Sequence, residues 1–167
     1  QMGEHGHWQK TTLFENATRV PLIISGPGTT AIGRSTEAPA EMIDFYPTLA
    51  ELCGLPAPDY LSGVSQVPAL KDPQASPRRA ALTQYESGYS IRTTRYRYTQ
   101  WGEDGKDGIE LYDHETDSAE MSNLAARAEH AETVAKLSAL LQSRVTDAQT
   151  HPKGVVQIQF ENRRRVK

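Results

Sequence analysis

A dense group of polar residues that could do chemistry lies near the start of the chain, from Glu4 to Lys10. The group contains a carboxylate, the imidazoles of His5 and His7, and the ammonium of Lys10 within seven residues. A His-x-His pair in an extended segment places both rings on one side, where the pair could bind a metal ion. Two surface histidines without function and a solvated lysine satisfy the same pattern. The spacing alone leaves both interpretations open.

Candidate nucleophiles are scarce in this sequence. The chain has one cysteine, Cys53, which lies beside Leu52 and Leu55 and is predicted to be a small buried thiol. Neither Ser25 nor Ser65 occurs in a G-x-S-x-G elbow. A single cysteine excludes an intramolecular disulfide, and no Cys/His cluster has zinc-finger spacing. The compartment of the protein is therefore left open by its cysteine content.

Composition and charge indicate a folded chain with no electrostatic reason to bind nucleic acid. The 167 residues have the length of one ordinary domain, and 37% hydrophobic with 23% charged residues is near the globular average. The net charge is −3, and the basic run 163–165 is predicted to be a solvated tail. No apolar run reaches the length of about 18 residues that a membrane helix needs. Neither nucleic acid nor membrane is expected as a partner.

The first half of the sequence predicts a loop, a strand and a helix. Residues 1–19 have no hydrophobic period and are predicted to form an irregular loop, where functional sites are common. The apolar run Val20–Ile24, which a Gly- and Pro-containing turn follows, is typical of a buried strand. Apolar residues at spacings of three and four predict a helix over 39–52, with a kink or late start at Pro47 and an end at Gly54.

The second half predicts an antiparallel sheet. Five prolines crowd residues 54–78, and this stretch divides the chain into a first region, 1–78, and a second region, 79–167. Alternation within the third strand puts Arg97 opposite Tyr98, which predicts that arginine stems cover aromatic surface at a sheet edge. Segments rich in aromatic and β-branched residues predict a four-stranded meander over 81–85, 89–93, 95–101 and 109–113.

Helical and extended patterns complete the predicted fold. An amphipathic stripe predicts a helix over 129–148 that covers one face of the sheet, and alternation over 155–160 predicts a last strand or extended tail. The fold class is therefore predicted to be α/β. It comprises a strand and helix that belong to a larger mixed sheet, followed by a four-stranded antiparallel sheet packed on a C-terminal helix.

Several consecutive motifs resemble a known family. Gly3-Glu4-His5-Gly6-His7-Trp8-Gln9-Lys10 is similar to the sulfatase motif G-E-H-G-x-W-x-K, and residues 14–23 are similar to F-E-x-A-T-R-V-P-L-I. Further similarities follow in the family's order at 42–49, 54–56, 61–65, 110–113 and 120–125. Over residues 1 to about 145 the chain thus resembles the C-terminal part of type I, formylglycine-dependent sulfatases of the alkaline phosphatase superfamily. Residues 83–85, 88–93 and 96–99 look most like the iduronate-2-sulfatase branch.

The resemblance implies hydrolysis of sulfate esters, with a role for Lys10. In this family a formylglycine made from the cysteine of C-x-P/A-x-R attacks sulfur beside a bound Ca²⁺. Cys53 lacks that context, so the nucleophile and the Ca²⁺ ligands are expected outside this chain, and the chain alone is expected to be inactive. Lys10 matches the family lysine that contacts the sulfate. His5, Trp8, Tyr85 and Arg92 are expected on the substrate side.

The resemblance also implies partners and leaves alternatives. The expected substrate is a sulfated carbohydrate of the glycosaminoglycan type, and a periplasmic or secreted setting is favoured. Unpaired strand edges predict association with an N-terminal catalytic part or self-association. One alternative is a phosphate or phosphonate ester hydrolase of the same superfamily. Another is a non-catalytic processed chain or binding subdomain that completes a partner's site.

Overall fold

The computed structural model describes residues 1–150 of the chain. Short 3₁₀ turns occur at Glu4–Gly6, Met42–Asp44, Glu103–Gly105 and Ala128–His130. The predicted strand or tail at 155–160 lies outside the described residues. The helices and strands are α1 (Glu15–Thr18), α2 (Phe45–Leu52), α3 (Val67–Lys71), β1 (Ala81–Tyr85), β2 (Gly88–Arg92), β3 (Tyr96–Trp101), β4 (Gly108–Asp113) and α4 (Ala131–Thr150).

The four strands form one antiparallel meander in the order β1-β2-β3-β4. A row of directly opposed residues crosses the sheet, from Leu82 through Ile91 and Tyr98 to Leu111. Because successive side chains on a strand point to opposite faces, this row gives the sheet one apolar face. Ile91, Tyr98 and Leu111 are fully buried there. The predicted meander is confirmed.

Helix α4 covers the apolar face of the sheet. Its Leu137 and Leu141 are buried in the same core cluster as the row of sheet residues. Polar contacts fix its register, since the Gln100 amide donates to Ser138 Oγ at 3.1 Å and the Gln142 amide donates to Gln100 Oε1 at 3.1 Å. The predicted C-terminal helix is confirmed and begins at Ala131. None of the helices in the described part of the chain is both long and apolar enough to span a membrane.

The prediction that β3 lies at a sheet edge is wrong. β3 lies between β2 and β4, and the side chain of Arg97 is 2% exposed. Its guanidinium is buried because two carboxylates, Glu15 and Glu120, pair with it on the face opposite α4. Sequence alternation gave the correct face for Arg97 but not the carboxylates that lie 82 and 23 positions away in the sequence.

The predicted strand over Val20–Ile24 is absent. Those residues join no sheet in the described structure, and Ile23 is 89% exposed. The apolar run predicts burial, but no other described segment lies beside it to supply ladder hydrogen bonds. The predicted buried thiol is also wrong, because Cys53 follows the last residue of α2 and is exposed. Pro47 does not interrupt the helix: it lies in the first turn of α2, where a backbone N–H has no partner inside the helix, and α2 begins at Phe45, later than the predicted residue 39.

A buried carboxylate, Asp44, organises the N-terminal half. It accepts hydrogen bonds from the Val64 N–H at 2.9 Å, from Gln66 Nε2 at 3.1 Å and from Arg78 Nε at 3.0 Å. Burial alone would raise the pKa of Asp44, but the Arg78 guanidinium and backbone N–H groups outweigh burial and hold that pKa below its usual value. Asp44 thereby fixes the connecting stretch around α3 to the turn before α2.

Glu41 connects this half to the sheet and to α4. Its Oε1 accepts from the Leu82 N–H at 2.8 Å and lies 2.9 Å from Arg144 Nη2 and 3.0 Å from Arg78 Nη1. One carboxylate therefore contacts the connecting stretch, the first strand and the C-terminal helix.

Candidate functional site

The Lys10 loop, residues 3–10, has a backbone that its glycines make possible. Gly3 and Gly6 have φ values of 118° and 72°, and His5 adopts 53° between them. The loop closes through a hydrogen bond from the Gly3 N–H to the His7 carbonyl at 2.8 Å. Left-handed backbone costs little for glycine and more for a residue with a Cβ. The positive φ values at Gly3 and Gly6 therefore explain why the G-E-H-G motif has glycine at these two positions.

His5 and Trp8 shape this loop in different ways. The His5 ring stacks on the Phe14 ring, with centroids 3.9 Å apart and planes 1° from parallel. Trp8 packs beside Gly3, yet it is 77% exposed. Neither side chain lines the cleft described next. Their predicted contact with substrate stays a prediction.

A cleft of about 1190 Å³ opens beside the loop. The Lys10 cleft, as we call it, is lined mainly by residues 10–12, 17–22 and 36–43, by β1 and by the end of β2. Lys10, Tyr85 and Arg92 all line it, and so does Gln84. The structure thus brings together three of the five residues predicted to form the site. Lys10 is exposed, so its ammonium is available to a ligand in the cleft.

The guanidinium of Arg92 already has partners. Its Nε lies 3.1 Å from Glu15 Oε2, and its Nη1 donates to the Thr93 carbonyl. Burial lowers the pKa of Arg92, and the negative charge of Glu15 opposes that effect. Arg92 therefore lies at the cleft wall as half of an ion pair. Within residues 1–150, Lys10 is part of no ion pair, and its side chain is exposed.

A buried ionic network behind the cleft was missed by the sequence analysis. Arg97 lies between the carboxylates of Glu15 and Glu120, with its Nε 2.5 Å from Glu120 Oε1. Glu120 Oε2 also accepts the Glu15 backbone N–H at 2.7 Å. Thr18 Oγ1 accepts from Arg97 Nη2 at 2.9 Å, and Ser90 Oγ accepts from Nη1 at 3.2 Å. Polar residues at alternate positions of β2 and β3 were the signal that could have revealed it.

The charges of this network balance. Burial would raise the pKa of Glu15, but the nearby charges of Arg92 and Arg97 outweigh burial and hold that pKa below its usual value. Two carboxylates, Glu15 and Glu120, thus oppose two guanidinium groups at the base of the cleft. The network neutralises its own charge and leaves that of Lys10 for a ligand.

The residues present do not fit the Ca²⁺ that the family resemblance implies. Within the described residues, Glu15, His114 and Glu120 form a group whose ligand atoms lie within 4.8 Å of one another. Both carboxylates already pair with Arg97, and the third group is an imidazole. Ca²⁺ takes about six to eight oxygen ligands and would have to displace the guanidinium. This group is a structural network, and no catalytic step passes through a metal here.

The arrangement can hold an anion but offers no strong nucleophile. Lys10 supplies a positive charge, and the Tyr85 phenol, which also lines the cleft, can donate a hydrogen bond. No histidine or cysteine is among the residues that line this cleft. An ammonium positioned beside a reacting group stabilises negative charge that develops on it. The geometry therefore suits charge stabilisation on a ligand whose nucleophile comes from elsewhere.

Comparison with known proteins gives the family. Residues 3–147 match the family described as "N-sulphoglucosamine sulphohydrolase, C-terminal". An N-acetylglucosamine-6-O-sulfatase of Bacteroides thetaiotaomicron is 31% identical in an alignment that covers 84% of this chain and 27% of that protein. The iduronate 2-sulfatase of Mus musculus is 30% identical in an alignment that covers 60% of this chain and 30% of that protein. The iduronate-2-sulfatase branch is thus not singled out among the relatives.

Solved structures show the same fold. A protein in complex with its substrate D-glucosamine-2-N,6-O-disulfate matches with a TM-score of 0.79 at 30% identity, over 89% of this chain and 32% of that one. A phosphonate monoester hydrolase from Silicibacter pomeroyi matches with a TM-score of 0.69 at 26% identity, over 86% of this chain and 32% of that one. The chain spans about a quarter to a third of the length of these proteins. The chain therefore belongs to the sulfatase family and corresponds to the family's C-terminal region.

Proposed function

We propose that this chain is the C-terminal part of a sulfatase that hydrolyses sulfate esters of sulfated sugars, and that Lys10 binds the sulfate. One observation carries the proposal: Lys10 of the G-E-H-G-x-W-x-K motif is exposed on the wall of a large cleft, in a chain whose family is that of sulfatases. Tyr85 and the Glu15-paired Arg92 face the same cleft and would contact the sugar or the leaving group.

Lys10 would act by electrostatics. Breaking a sulfate ester moves negative charge onto the leaving oxygen and the sulfate group, and a nearby ammonium stabilises that charge. The chain contains no cysteine in a C-x-P/A-x-R context, so the nucleophile would come from residues outside this sequence. The Ca²⁺ ligands would come from the same place. The chain alone is then expected to bind sulfated ligands weakly and to hydrolyse none.

A large apolar surface supports a role as part of a larger protein. Val20, Ile23, Ile32, Met42 and Leu49 are exposed by 56% or more in the N-terminal half. Isolated apolar side chains are common on surfaces, but many on one half indicate a contact region. We propose that the N-terminal catalytic part covers them, with self-association as the alternative. The division into regions 1–78 and 79–167 belongs to this proposal.

The proposed substrate has two specific forms, which share one broader class. The relative named N-acetylglucosamine-6-O-sulfatase and the structure bound to D-glucosamine-2-N,6-O-disulfate support a sulfated amino sugar. The likeness of residues 83–99 to the iduronate-2-sulfatase branch supports a sulfated uronic acid instead. Both are glycosaminoglycan-type sugars, and a glycosaminoglycan-type ester is the shared proposal.

A panel of esters tests the proposal and separates these forms. The chain alone and a longer protein that contains it are each assayed with an aryl sulfate, glucosamine 6-sulfate, iduronate 2-sulfate and a phosphonate monoester, with Ca²⁺ present. Turnover of sulfate esters by the longer protein and none by the chain supports the proposal. Turnover by the chain alone would mean that its own residues supply a nucleophile, against the mechanism given above.

Phosphonate ester hydrolysis is the second candidate. The structural match to a phosphonate monoester hydrolase favours it, because a TM-score of 0.69 over 86% of the chain is a substantial likeness. A lysine stabilises a phosphonate as well as a sulfate, since both are tetrahedral anions. Preferential turnover of the phosphonate ester in the same panel would select this candidate. Binding of sulfated sugar without turnover by any longer protein would instead select a non-catalytic binding subdomain.

A further inference from the structure

We infer that Glu120 is a positioning residue for Lys10, and that it acts through Arg97, Glu15 and the backbone of the intervening segment. The inference rests on the proposed function, because it concerns the same lysine. Glu120 lies 110 positions after Lys10 in the sequence and does not line the Lys10 cleft. Its side chain nevertheless contacts the segment that carries Lys10 directly, at the Glu15 N–H, and is connected to that segment a second time through Arg97.

The first point is the backbone. Glu120 Oε2 accepts the Glu15 N–H at 2.7 Å, which is a charge-assisted hydrogen bond in a buried place. This N–H is at the start of α1, where a helix leaves its first N–H groups without partners inside the helix. Glu120 thus sets where α1 begins, five residues after Lys10.

The second point is the side-chain network. Arg97 Nε pairs with Glu120 at 2.5 Å, and Arg97 Nη2 pairs with Glu15 and donates a hydrogen bond to Thr18 Oγ1 at 2.9 Å. Arg97 and Glu120 are 2% and 1% exposed, so water competes little for these groups. The guanidinium fork has a fixed shape, which makes the separation of Glu15 from Glu120 well defined.

The segment between these anchors and Lys10 is short and partly buried. Leu13 is 3% exposed and packs against β2 near Gly88. The Lys10 carbonyl accepts from the Thr12 N–H at 3.0 Å, which forms a tight turn between them. Leu13 and Glu15 therefore hold the C-terminal side of the Lys10 loop on the sheet. A shift of α1 would move the base of Lys10, together with the α1 residues that line the cleft, relative to β1.

His114 adds a connection on the far side of Glu120. Its Nε2 lies 2.8 Å from Glu120 Oε1, and the His114 side chain is 8% exposed. Glu120 itself has a φ of 57°, a left-handed conformation that a residue with a Cβ adopts at some cost. The strained backbone aims this carboxylate at the network. The turn after β4 thus places the Glu120 carboxylate behind the cleft.

A double-mutant cycle tests whether Glu120 acts through Lys10. In the longer protein that contains this chain, kcat and KM for a sulfate ester are measured for the wild type, Glu120→Gln, Lys10→Ala and the double variant. Misplacing a charged group by about 1 Å can cost about a hundredfold in rate, so Glu120→Gln should lower kcat by up to about a hundredfold. In the Lys10→Ala background the same change should alter kcat by no more than about twofold.

Two further variants control for folding. Thr18→Val removes a single acceptor from the network and should lower kcat less than Glu120→Gln, again only when Lys10 is present. Glu110→Gln is the matched control, because Glu110 lies on the same face of the sheet but hydrogen-bonds Trp101 and Tyr112 instead of the Lys10 segment. It should leave kcat within about twofold of the wild type.

Hydrogen exchange of the Glu15 amide gives a readout that does not depend on activity. Glu120→Gln should accelerate exchange over residues 13–18, whereas Glu110→Gln should not. Unchanged exchange in Glu120→Gln, or a full loss of kcat that repeats in the Lys10→Ala background, overturns the inference while the proposed function stands. A wild-type protein that hydrolyses no sulfate ester overturns the proposed function, and the inference falls with it.

Discussion

Replacing Asp44 with asparagine gives a sharp test of what holds the two halves together. The substitution keeps the volume of the side chain but removes its charge. Asp44 is fully buried and accepts from Arg78, from Gln66 and from two backbone N–H groups. An asparagine side chain would turn an N–H₂ donor toward at least one of these donors. Arg78, which is 3% exposed, would keep only Glu41 as a partner.

The expected cost follows from this geometry. Breaking a buried ion pair by removal of one partner costs about 3–5 kcal/mol, because the remaining charge stays buried. Glu41 still lies 3.0 Å from Arg78, so the lower end, about 3 kcal/mol, applies to Asp44→Asn. For a chain of this size that corresponds to a fall in Tm of roughly 6–12 °C. Urea unfolding monitored by circular dichroism measures the free energy directly.

The pH dependence has a defined sign. The pKa of Asp44 is lowered on folding, so the unfolded chain binds its proton first as the pH falls. The stabilising contribution of Asp44 is therefore complete above the unfolded pKa of about 3.9 and is lost as the pH falls toward the folded value. The difference between wild type and Asp44→Asn should be constant near neutral pH and should shrink below about pH 4.

Two controls make the result interpretable. Glu132→Gln removes an exposed ion pair with Lys136 and should leave the free energy of unfolding nearly unchanged, because water screens this pair. Adding Arg78→Met to Asp44→Asn removes the stranded charge and should restore part of the lost stability. A cost below about 1 kcal/mol for Asp44→Asn, or no recovery in the double variant, would refute the view that this ion pair holds the connecting stretch.

Two other substitutions test the packing of the fold, and urea unfolding measures the cost of each. Gly63→Ala would place a Cβ in steric overlap with the Ile43 carbonyl oxygen, so we expect a loss of about 1–3 kcal/mol or more in urea unfolding. A neutral result would contradict the described path of residues 61–65. Leu141→Ala should cost about 2–5 kcal/mol because Leu141 is 1% exposed in the core under the sheet, and a cost below about 1 kcal/mol would show that α4 is not packed there.

The second half of the fold was predictable because its patterns are local. Alternation and aromatic content predicted the four strands, and the stripe that includes Leu137 and Leu141 predicted the helix that covers them. Consecutive strands joined by short turns pair with their neighbours, so the meander followed from the strands. The first half was less predictable. The Val20–Ile24 run has the pattern of a buried strand, yet burial depends on a partner that the pattern does not contain.

The candidate site was likewise predictable from the sequence only in part. Motif likeness led to Lys10, and the structure places Tyr85 and Arg92 on the same cleft. The buried network of Glu15, Arg97 and Glu120 was missed because its members come from three distant segments. A charged residue in a strand is predicted to be solvated unless a residue of opposite charge is known to lie beside it in the fold. Only the folded chain shows that the two carboxylates meet at Arg97.

The central claim is that this chain supplies a charge that stabilises the breaking of a sulfate ester. The most direct measurement is kcat/KM for a sulfated glucosamine ester with the longer protein that contains this chain, compared between wild type and Lys10→Ala. Loss of a positioned charge of this kind costs about 2.7–4 kcal/mol, so the account predicts a fall of about a hundred- to a thousandfold. A Lys10→Ala protein that keeps its activity within about threefold of the wild type would contradict the account.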